Sequence, residues 1–505
     1  MVKEASMSRD FRLYKDDETP LYIQAADAVR AGIVGGEFRP GDRLPSVRKL
    51  SDELGVNPAT IVAAYRILTR EGLVESRAGS GAFVSEGAPV DARFEDAASG
   101  RGPDRAAPVV RPARGDGPDE ASGGMPDGAP GLVDLAANAP PRDLFPLADL
   151  KRFIAEAIDA DGGRAFEYQD TAGYAPLRRT LAVFLAASRR GGREPVDPAD
   201  VHIVSGAQQG IDLAARALLR RGDVAAVETP GYGGARDAFV AAGARVEAIP
   251  VGPRGLDLQA LERLASTRPL RLVHVNPSFQ NPTGAVYDAE NRAAIAGLAE
   301  RYGFYVVEDD LFSDLSWSGG PPPSIRSFDA AGRVLFVKSF SKSLMPGLRI
   351  ACLEAPAAMR ERFAGVKRSI DISSNGLMQR VLDRFLSSGR LESHLVAARE
   401  RYRSAFAAFE EALVPYRGTG LSWDRPEGGI NLWVSAPPGV KARVLAAECL
   451  RRGCAVAPES AFRRDTGGSD EADAHLRVSF GSAAVGELAR GARAIGEAAV
   501  ALGVK

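Results

Sequence analysis

The residues with the densest chemistry lie at 334–349, VLFVKSFSKSLMPGLR. An apolar run ends in Ser339-Phe340-Ser341-Lys342, and Arg349 follows seven residues after the lysine. Such a run reads as a buried strand delivering one lysine to a pocket. A lysine held at the end of that strand can lose its proton and act as a nucleophilic amine. Ser339, Ser341 and Arg349 suit a phosphate, the arginine through its planar fork and permanent charge. Lysine, hydroxyls and arginine together describe a Schiff-base site for pyridoxal phosphate (PLP). Standing alone, they would also describe a strand that ends in a solvated polar turn.

Four other polar groups could complete such a site. Ser205-Gly206-Ala207-Gln208 joins an apolar run to a helical pattern, where free backbone N–H groups and the helix dipole favour a phosphate. Tyr232, after Pro230-Gly231, could stack on a flat heterocycle, or simply pack. Asn281 in SFQNPTG could donate its amide to a phenolate oxygen, or mark a turn. The run Glu308-Asp309-Asp310 closes a Val-rich segment, where a carboxylate can pair with a pyridinium N–H or end a strand.

The elements that must position these groups alternate. VHIV precedes SGAQQGIDLAARALL, and DVAAVE precedes PGYGGARDAFVAAG, with RVEAIPV next. LRLVHVNP, the helix DAENRAAIAGLAERYG, FYVVEDD and VLFVKSFSK follow. This β-α alternation with Val/Ile/Leu-rich strands predicts an α/β domain whose mostly parallel sheet is covered on both faces. Ligand groups should collect at the strand C-terminal ends, where the polar residues fall.

Ahead of this lies a different pattern. LPSVRKLSDELGV and NPATIVAAYRILTREGL read as two helices around a short turn. Ser46 can cap the first, with Leu50 and Leu54 an apolar pair, and Gly55 ends it. Asn57 can cap the second, with Pro58 at its first position, and Val62, Tyr65 and Leu68 repeat at helical spacing. GLVESRAGSGAFV then reads as two short strands around a glycine turn, a wing. Helix-turn-helix geometry also occurs in plain helical bundles. Residues 20–86 carry eight Lys/Arg and eight Asp/Glu, so the segment is not basic overall, but the cluster Arg39, Arg43, Arg48, Lys49 is locally positive, with only Asp42 inside it. That suffices to position phosphates, and a solvated charged face would look similar.

At 505 residues the chain exceeds a single core, and its 45% hydrophobic, 26% charged composition is that of a globular protein. The divisions expected are a tail at 1–18, a winged helix-turn-helix at 19–87, a linker at 88–131 and the α/β domain at 132–505, with a smaller C-terminal α+β subdomain. The linker is rich in Gly, Pro, Ala, Asp and Arg and has little apolar material to bury. A net charge of −1 provides no global field for nucleic acid. Three cysteines and four scattered histidines suggest neither a disulfide framework nor a metal centre. The polar N-terminus and the lack of any run near the ~18 apolar residues of a membrane helix point to the cytoplasm, with no membrane partner.

The first segment, from PLYIQAADAV to GSGAFV, resembles the GntR-type winged helix-turn-helix nearly end to end. That resemblance implies contact with double-stranded operator DNA by Arg43, Ser46, Arg48, Asn57, Ala59, Thr60 and the wing glycine Gly79. Pro58 stands where many relatives carry an arginine, so base readout does not follow there.

From Leu132 onward the ordered set, with YQDTAGYAPLR before it and GGINLWV and HLRVSF after it, resembles a fold-type I PLP enzyme of the class I/II aminotransferase kind. The resemblance implies Lys342 as the Schiff-base lysine, Asp309 on the pyridine nitrogen, Asn281 on O3′ and Tyr232 stacked on the ring. It implies Ser339, Ser341, Arg349, Gly206, Ala207 and Gln208 around the phosphate, and Arg477 on a substrate α-carboxylate. Tyr168 matches the tyrosine that reaches a neighbour's site in dimeric relatives. The usual tyrosine beyond the acid is replaced by Leu311 and Phe312, which leaves Asn281 as the obvious O3′ donor and opposes efficient transamination.

Both halves in one chain resemble the MocR subfamily of bacterial transcriptional regulators. The implied function is a PLP-dependent, ligand-responsive, homodimeric regulator rather than an enzyme, sensing an amino compound or PLP itself. The alternative is a working aminotransferase with an ancillary DNA-binding domain.

Overall fold

The computed structural model describes residues 21–34, 38, 40–70, 73–77, 81–85, 131–188, 195–317, 320, 323–463 and 473–503. The expected tail, all of the linker but Gly131, Arg39 and Gly79 lie outside the described residues. The chain forms two compact units, Met1–Val109 and Val110–Lys505.

In the smaller unit, α1 (Leu21–Val34), α2 (Val47–Leu54) and α3 (Pro58–Arg70) precede an antiparallel hairpin of β1 (Val74–Arg77) and β2 (Gly81–Val84). Local chemistry sets each helix boundary. The Ser46 hydroxyl accepts the Lys49 N–H at 3.3 Å, and Gly55 ends α2 at φ 63°. Asn57 Oδ1 accepts the Ala59 N–H at 2.9 Å ahead of Pro58. The buried face of α3 carries Ile61, Ala64, Tyr65 and Leu68 against Val29, Ile33 and Leu50, whereas Val62 is exposed. The Tyr65 hydroxyl donates to the Pro45 carbonyl at 2.7 Å, tying α3 to the start of α2.

The larger unit opens with β3 (Val133–Asp134). Its main sheet holds β4 (Val201–Val204), β5 (Val224–Thr229), β6 (Arg245–Gly252), β7 (Gly255–Leu256), β8 (Leu270–Val275), β9 (Tyr305–Asp310), β10 (Val334–Ser339) and β11 (Ala351–Glu354). Their order is β4-β11-β10-β9-β8-β5-β6-β7. The central pairs are parallel, while β11 and β7 pair antiparallel with their neighbours. All six residues of β10 are buried, as a strand covered on both faces requires.

A second sheet holds β12 (Ser422–Trp423), β13 (Asn431–Ser435), β15 (Ala457–Pro458) and β16 (His475–Ser479), in the order β12-β13-β16-β15. The intervening β14 (Cys454–Ala455) pairs in parallel with β3. That pairing anchors residues 133–134, after which the chain runs on toward the end of β10. Among the described residues no helix is long and apolar enough to cross a membrane, and no cluster of potential metal ligands occurs.

Candidate functional site: a cofactor pocket at the strand ends

Parallel pairing places Asp309 beside Val337 and Asp310 beside Lys338, so β9 and β10 end together. Strand β10 stops at Ser339, three residues short of Lys342, which sits in the following turn rather than on the strand itself. Lys342 is half-buried, and its Nζ donates to the carbonyl of Asn138, just beyond β3.

The chain offers a second lysine four residues earlier, and its surroundings differ. Lys338 Nζ is buried within 3.0 Å of Asp310 Oδ2 and 2.8 Å of Asp314 Oδ2, and it donates to Ser313 Oγ at 3.0 Å. Burial works against its charge, but the two carboxylates outweigh that and hold the ammonium well above the usual lysine range. Paired with two carboxylates, Lys338 is held as a cation, and a protonated amine is not a nucleophile.

The neighbouring carboxylates divide in the same way. Burial raises Asp310, yet Lys338 and Ser313 more than reverse this, and its carboxyl ends below the usual range. Asp309, fully buried, is pushed up by burial, with only His274 as an opposing influence, its Nε2 3.5 Å from Oδ2. The other oxygen, Asp309 Oδ1, is buried with no hydrogen-bond partner among the described residues. A ring N–H at that oxygen would supply the bond and the charge that burial removes.

Asn276 holds this wall together. Its Nδ2 donates to the Asp309 carbonyl at 2.7 Å, and its Oδ1 accepts the Asn281 N–H at 2.8 Å. Its own N–H donates to Glu228 Oε1 at 2.8 Å, and the Tyr287 hydroxyl donates to that same oxygen at 2.5 Å. Burial raises the Glu228 carboxyl despite these donors. Asn281 Oδ1 in turn accepts from Arg477 Nη1 at 3.0 Å, which fixes the accepting end of that amide. Arg477 also donates to the Ala136 carbonyl at 2.5 Å and lies 4.8 Å over the Phe462 ring.

Gly206 opens the helix Ala207–Leu218 at φ 92°. A Cβ there would come within 2.6 Å of the Arg349 guanidinium, so only glycine leaves room for it. Arg349, itself at φ 51°, reaches back to donate to the Ser205 carbonyl at 2.7 Å. Ser339 Oγ accepts the Ser341 N–H at 3.2 Å beside this cup. The Tyr232 hydroxyl donates to Gln208 Oε1 at 2.8 Å, and its ring lies 6.4 Å from that of His274. Helix N-terminus, guanidinium and hydroxyls therefore converge where a phosphate could sit, with an aromatic ring beside them.

Tyr168 is not drawn into this pocket. It is 83% exposed and lines a separate cavity of about 690 Å³ with Phe166, Ser373, Asn375 and Gly376. Leu311 and Phe312 supply no hydroxyl, and Phe312 is fully buried. In the smaller unit Ser46, Arg48, Asn57 and Ala59 are exposed, while Arg43 and Thr60 are half-buried. Ser46 and Asn57 spend their side-chain oxygens on capping, and the Arg43 guanidinium lies against Gly81.

His274, Asn276, Glu228 and Asn138 are site residues not singled out from the sequence. A histidine inside the apolar run LRLVHV was the available signal for His274; the others sit in segments without a distinctive pattern.

The residues present fit PLP: an open buried carboxylate oxygen for the ring nitrogen, a glycine cradle with an arginine, and a separate amine. Residues 130–495 match the family described as aminotransferase class I and II, and residues 21–84 match bacterial regulatory proteins of the gntR family. The chain is 34% identical to the HTH-type transcriptional regulator TauR of Rhodobacter capsulatus, covering 86% of this chain and 88% of that one. It is 30% identical to the probable rhizopine catabolism regulatory protein MocR of Rhizobium meliloti, covering 83% and 82%. Among solved structures, Pyrococcus horikoshii kynurenine aminotransferase, in complex with PMP, superposes at TM-score 0.69 and 30% identity, over 74% of this chain and 92% of its own. LysN, the α-aminoadipate aminotransferase of Thermus thermophilus, superposes at TM-score 0.68 and 30% identity, over 74% and 93%. The chain belongs to the class I and II aminotransferase family and, with its gntR-family domain, is a MocR-type transcriptional regulator built on a PLP-binding fold.

Proposed function

We propose that the larger unit is an amine sensor that uses PLP as its reading head and controls operator binding by the smaller unit of a homodimer. The observation that carries this is the partnerless buried oxygen of Asp309, in a chain that also carries a gntR-family domain. Lys342 would hold the cofactor covalently, Asp309 its ring nitrogen and Asn281 its O3′, with Tyr232 against the ring. Ser339, Ser341, Arg349, Gly206, Ala207 and Gln208 would hold the phosphate. When bound, the cofactor supplies a carbonyl that exchanges one amine for another. Arg477 would grip the carboxylate of an arriving amino compound, which Lys342 would yield to.

Leu311 and Phe312 provide no hydroxyl at the phenolate side, which favours sensing over turnover. Exposed Tyr168 and Phe166, beside the cavity at Ser373 and Asn375, suit a face covered by a second copy, from which Tyr168 would enter the neighbour's site. In the smaller unit Arg43, Ser46, Arg48, Asn57, Ala59 and Thr60 would meet the operator, with Gly79 in the wing.

The test is thermodynamic. If an amine shifts operator affinity by some factor, operator must shift amine affinity by the same factor. Titrating amines by the visible absorption of the PLP-loaded protein, with and without operator, measures the second factor, and operator titrations with and without amine measure the first. An amine that binds with identical affinity in the two conditions would refute the sensing role.

A further inference from the structure

Three side chains beside Arg477 carry polar atoms that nothing in the described residues satisfies. Asn431 Nδ2 and Oδ1, Ser479 Oγ and Asn138 Oδ1 are all buried without a hydrogen-bond partner. Asn431 is 3% exposed and Ser479 fully buried.

Their placement follows from the second sheet. Antiparallel β13 and β16 set Asn431 directly opposite Ser479 and Trp433 directly opposite Arg477. The side chains of Asn431, Ser479 and Arg477 therefore rise from one face, with Asn431 and Arg477 diagonal neighbours at about 7–8 Å. Asn138 joins from the other side. Arg477 donates to the Ala136 carbonyl, and Lys342 to the carbonyl of Asn138 itself. A Cβ at Gly481 would lie 3.1 Å from the Ala139 carbonyl oxygen and 3.0 Å from Ile430 Cβ, so the neighbours of Asn138 and Asn431 meet there.

Buried polar groups are normally paired, and leaving an amide unpaired in a core is costly. These orphans gather beside the arginine assigned to a ligand carboxylate, which marks them as readers of that ligand's remaining groups. Their chemistry narrows the choice. Two of the atoms are amide oxygens that need donors, and a carboxylate offers none. Asn431 Nδ2 needs an acceptor, and an ammonium or an alkyl chain offers none. Ser479 can take either role.

We propose that Asn431, Ser479 and Asn138 form a polar subsite that selects an effector bearing, besides its amine and carboxylate, an uncharged carboxamide or hydroxyl. This rests on the reading of Arg477 as the carboxylate anchor of a PLP-dependent sensor.

The experiment uses the full-length, PLP-loaded protein and near-isosteric pairs: asparagine against leucine, threonine against valine, glutamine against homoleucine, with aspartate as the anionic control. Each is titrated by its change in the visible spectrum. In at least one pair the polar member is expected to bind about tenfold or more tightly than its apolar partner, and asparagine more tightly than aspartate. Asn431→Leu should erase that preference while the lysine-linked absorption persists. Ser479→Ala, which removes one hydroxyl and nothing else, should reduce it and serves if Asn431→Leu does not fold. Equal binding within every pair, preference for aspartate, no response to any compound, or discrimination retained in both variants would overturn the proposal. Lack of lysine-linked absorption in the wild type would defeat the cofactor reading itself, whereas absorption without discrimination defeats this inference alone.

Discussion

The two lysines of VKSFSK should respond to removal in opposite ways. Lys338→Met deletes a buried cation that lies 3.0 Å from Asp310 and 2.8 Å from Asp314 and leaves two carboxylates facing each other. Breaking a buried ion pair by removing one partner costs about 3–5 kcal/mol. The methionine recovers part of that through packing, so the lower end, about 3 kcal/mol, is expected. All three tryptophans, Trp317, Trp423 and Trp433, lie in the larger unit, so denaturant unfolding followed by their fluorescence reports on that unit alone. The loss should also depend on pH. In the wild type Asp310 titrates below its ordinary range, so its contribution is present above the unfolded value and is lost as pH falls through the folded one. Without Lys338 the stranded carboxylates destabilise most near neutrality, and the gap between wild type and variant should close toward pH 4. Cofactor absorption should survive in Lys338→Met and vanish in Lys342→Ala, which should lose little stability. A Lys338→Met protein that is folded but cannot take up PLP covalently, or one that is destabilised by less than about 1 kcal/mol at pH 7, would refute this division of roles.

Burial pushes the Glu308 carboxyl up to about 7, against Arg292 at 3.9 Å and the N–H groups of Arg326 and Ile325. Its contribution is therefore full below about pH 4.5 and lost as pH rises through about 7, a fall of about 3 kcal/mol that Glu308→Gln should flatten in pH-dependent unfolding. Gly206→Ala, which places a Cβ 2.6 Å from the Arg349 guanidinium at φ 92°, should weaken PLP about tenfold or more in equilibrium titration while the fold persists. Arg48→Ala should weaken operator binding by about 1–3 kcal/mol and relax base discrimination; unchanged binding in a salt-controlled gel or anisotropy assay would remove Arg48 from the interface. Tyr168→Ala should lower PLP affinity without disturbing the unit that carries it, and sedimentation showing a PLP-loaded monomer of full affinity would exclude a shared site.

Much of the architecture was legible in the sequence because it is local. Six-residue apolar runs such as VLFVKS and LRLVHV form β10 and β8, and Ser46, Gly55 and Asn57 act at the helix ends their types predict. The linear order of glycine turn, Tyr232, Asn281, acidic strand end and lysine was readable for the same reason, since each group lies either on its own strand, as Asp309 does on β9, or in the segment that directly follows one. What the chain could not show alone is decided by strand register and by contacts across long separations. Whether Lys338 or Lys342, Asp309 or Asp310, faces the pocket depends on which side of a pleated strand or turn each occupies and on Asp314 and His274 from elsewhere. Arg477 meets Asn281 across 196 residues, and Lys342 meets Asn138 across 204. Asn138, Asn431 and Ser479 are unremarkable in sequence, and come together as the proposed subsite only because β13 pairs with β16 and β3 with β14. Local propensity sets the elements; which polar atoms are left without partners is a property of the packed whole.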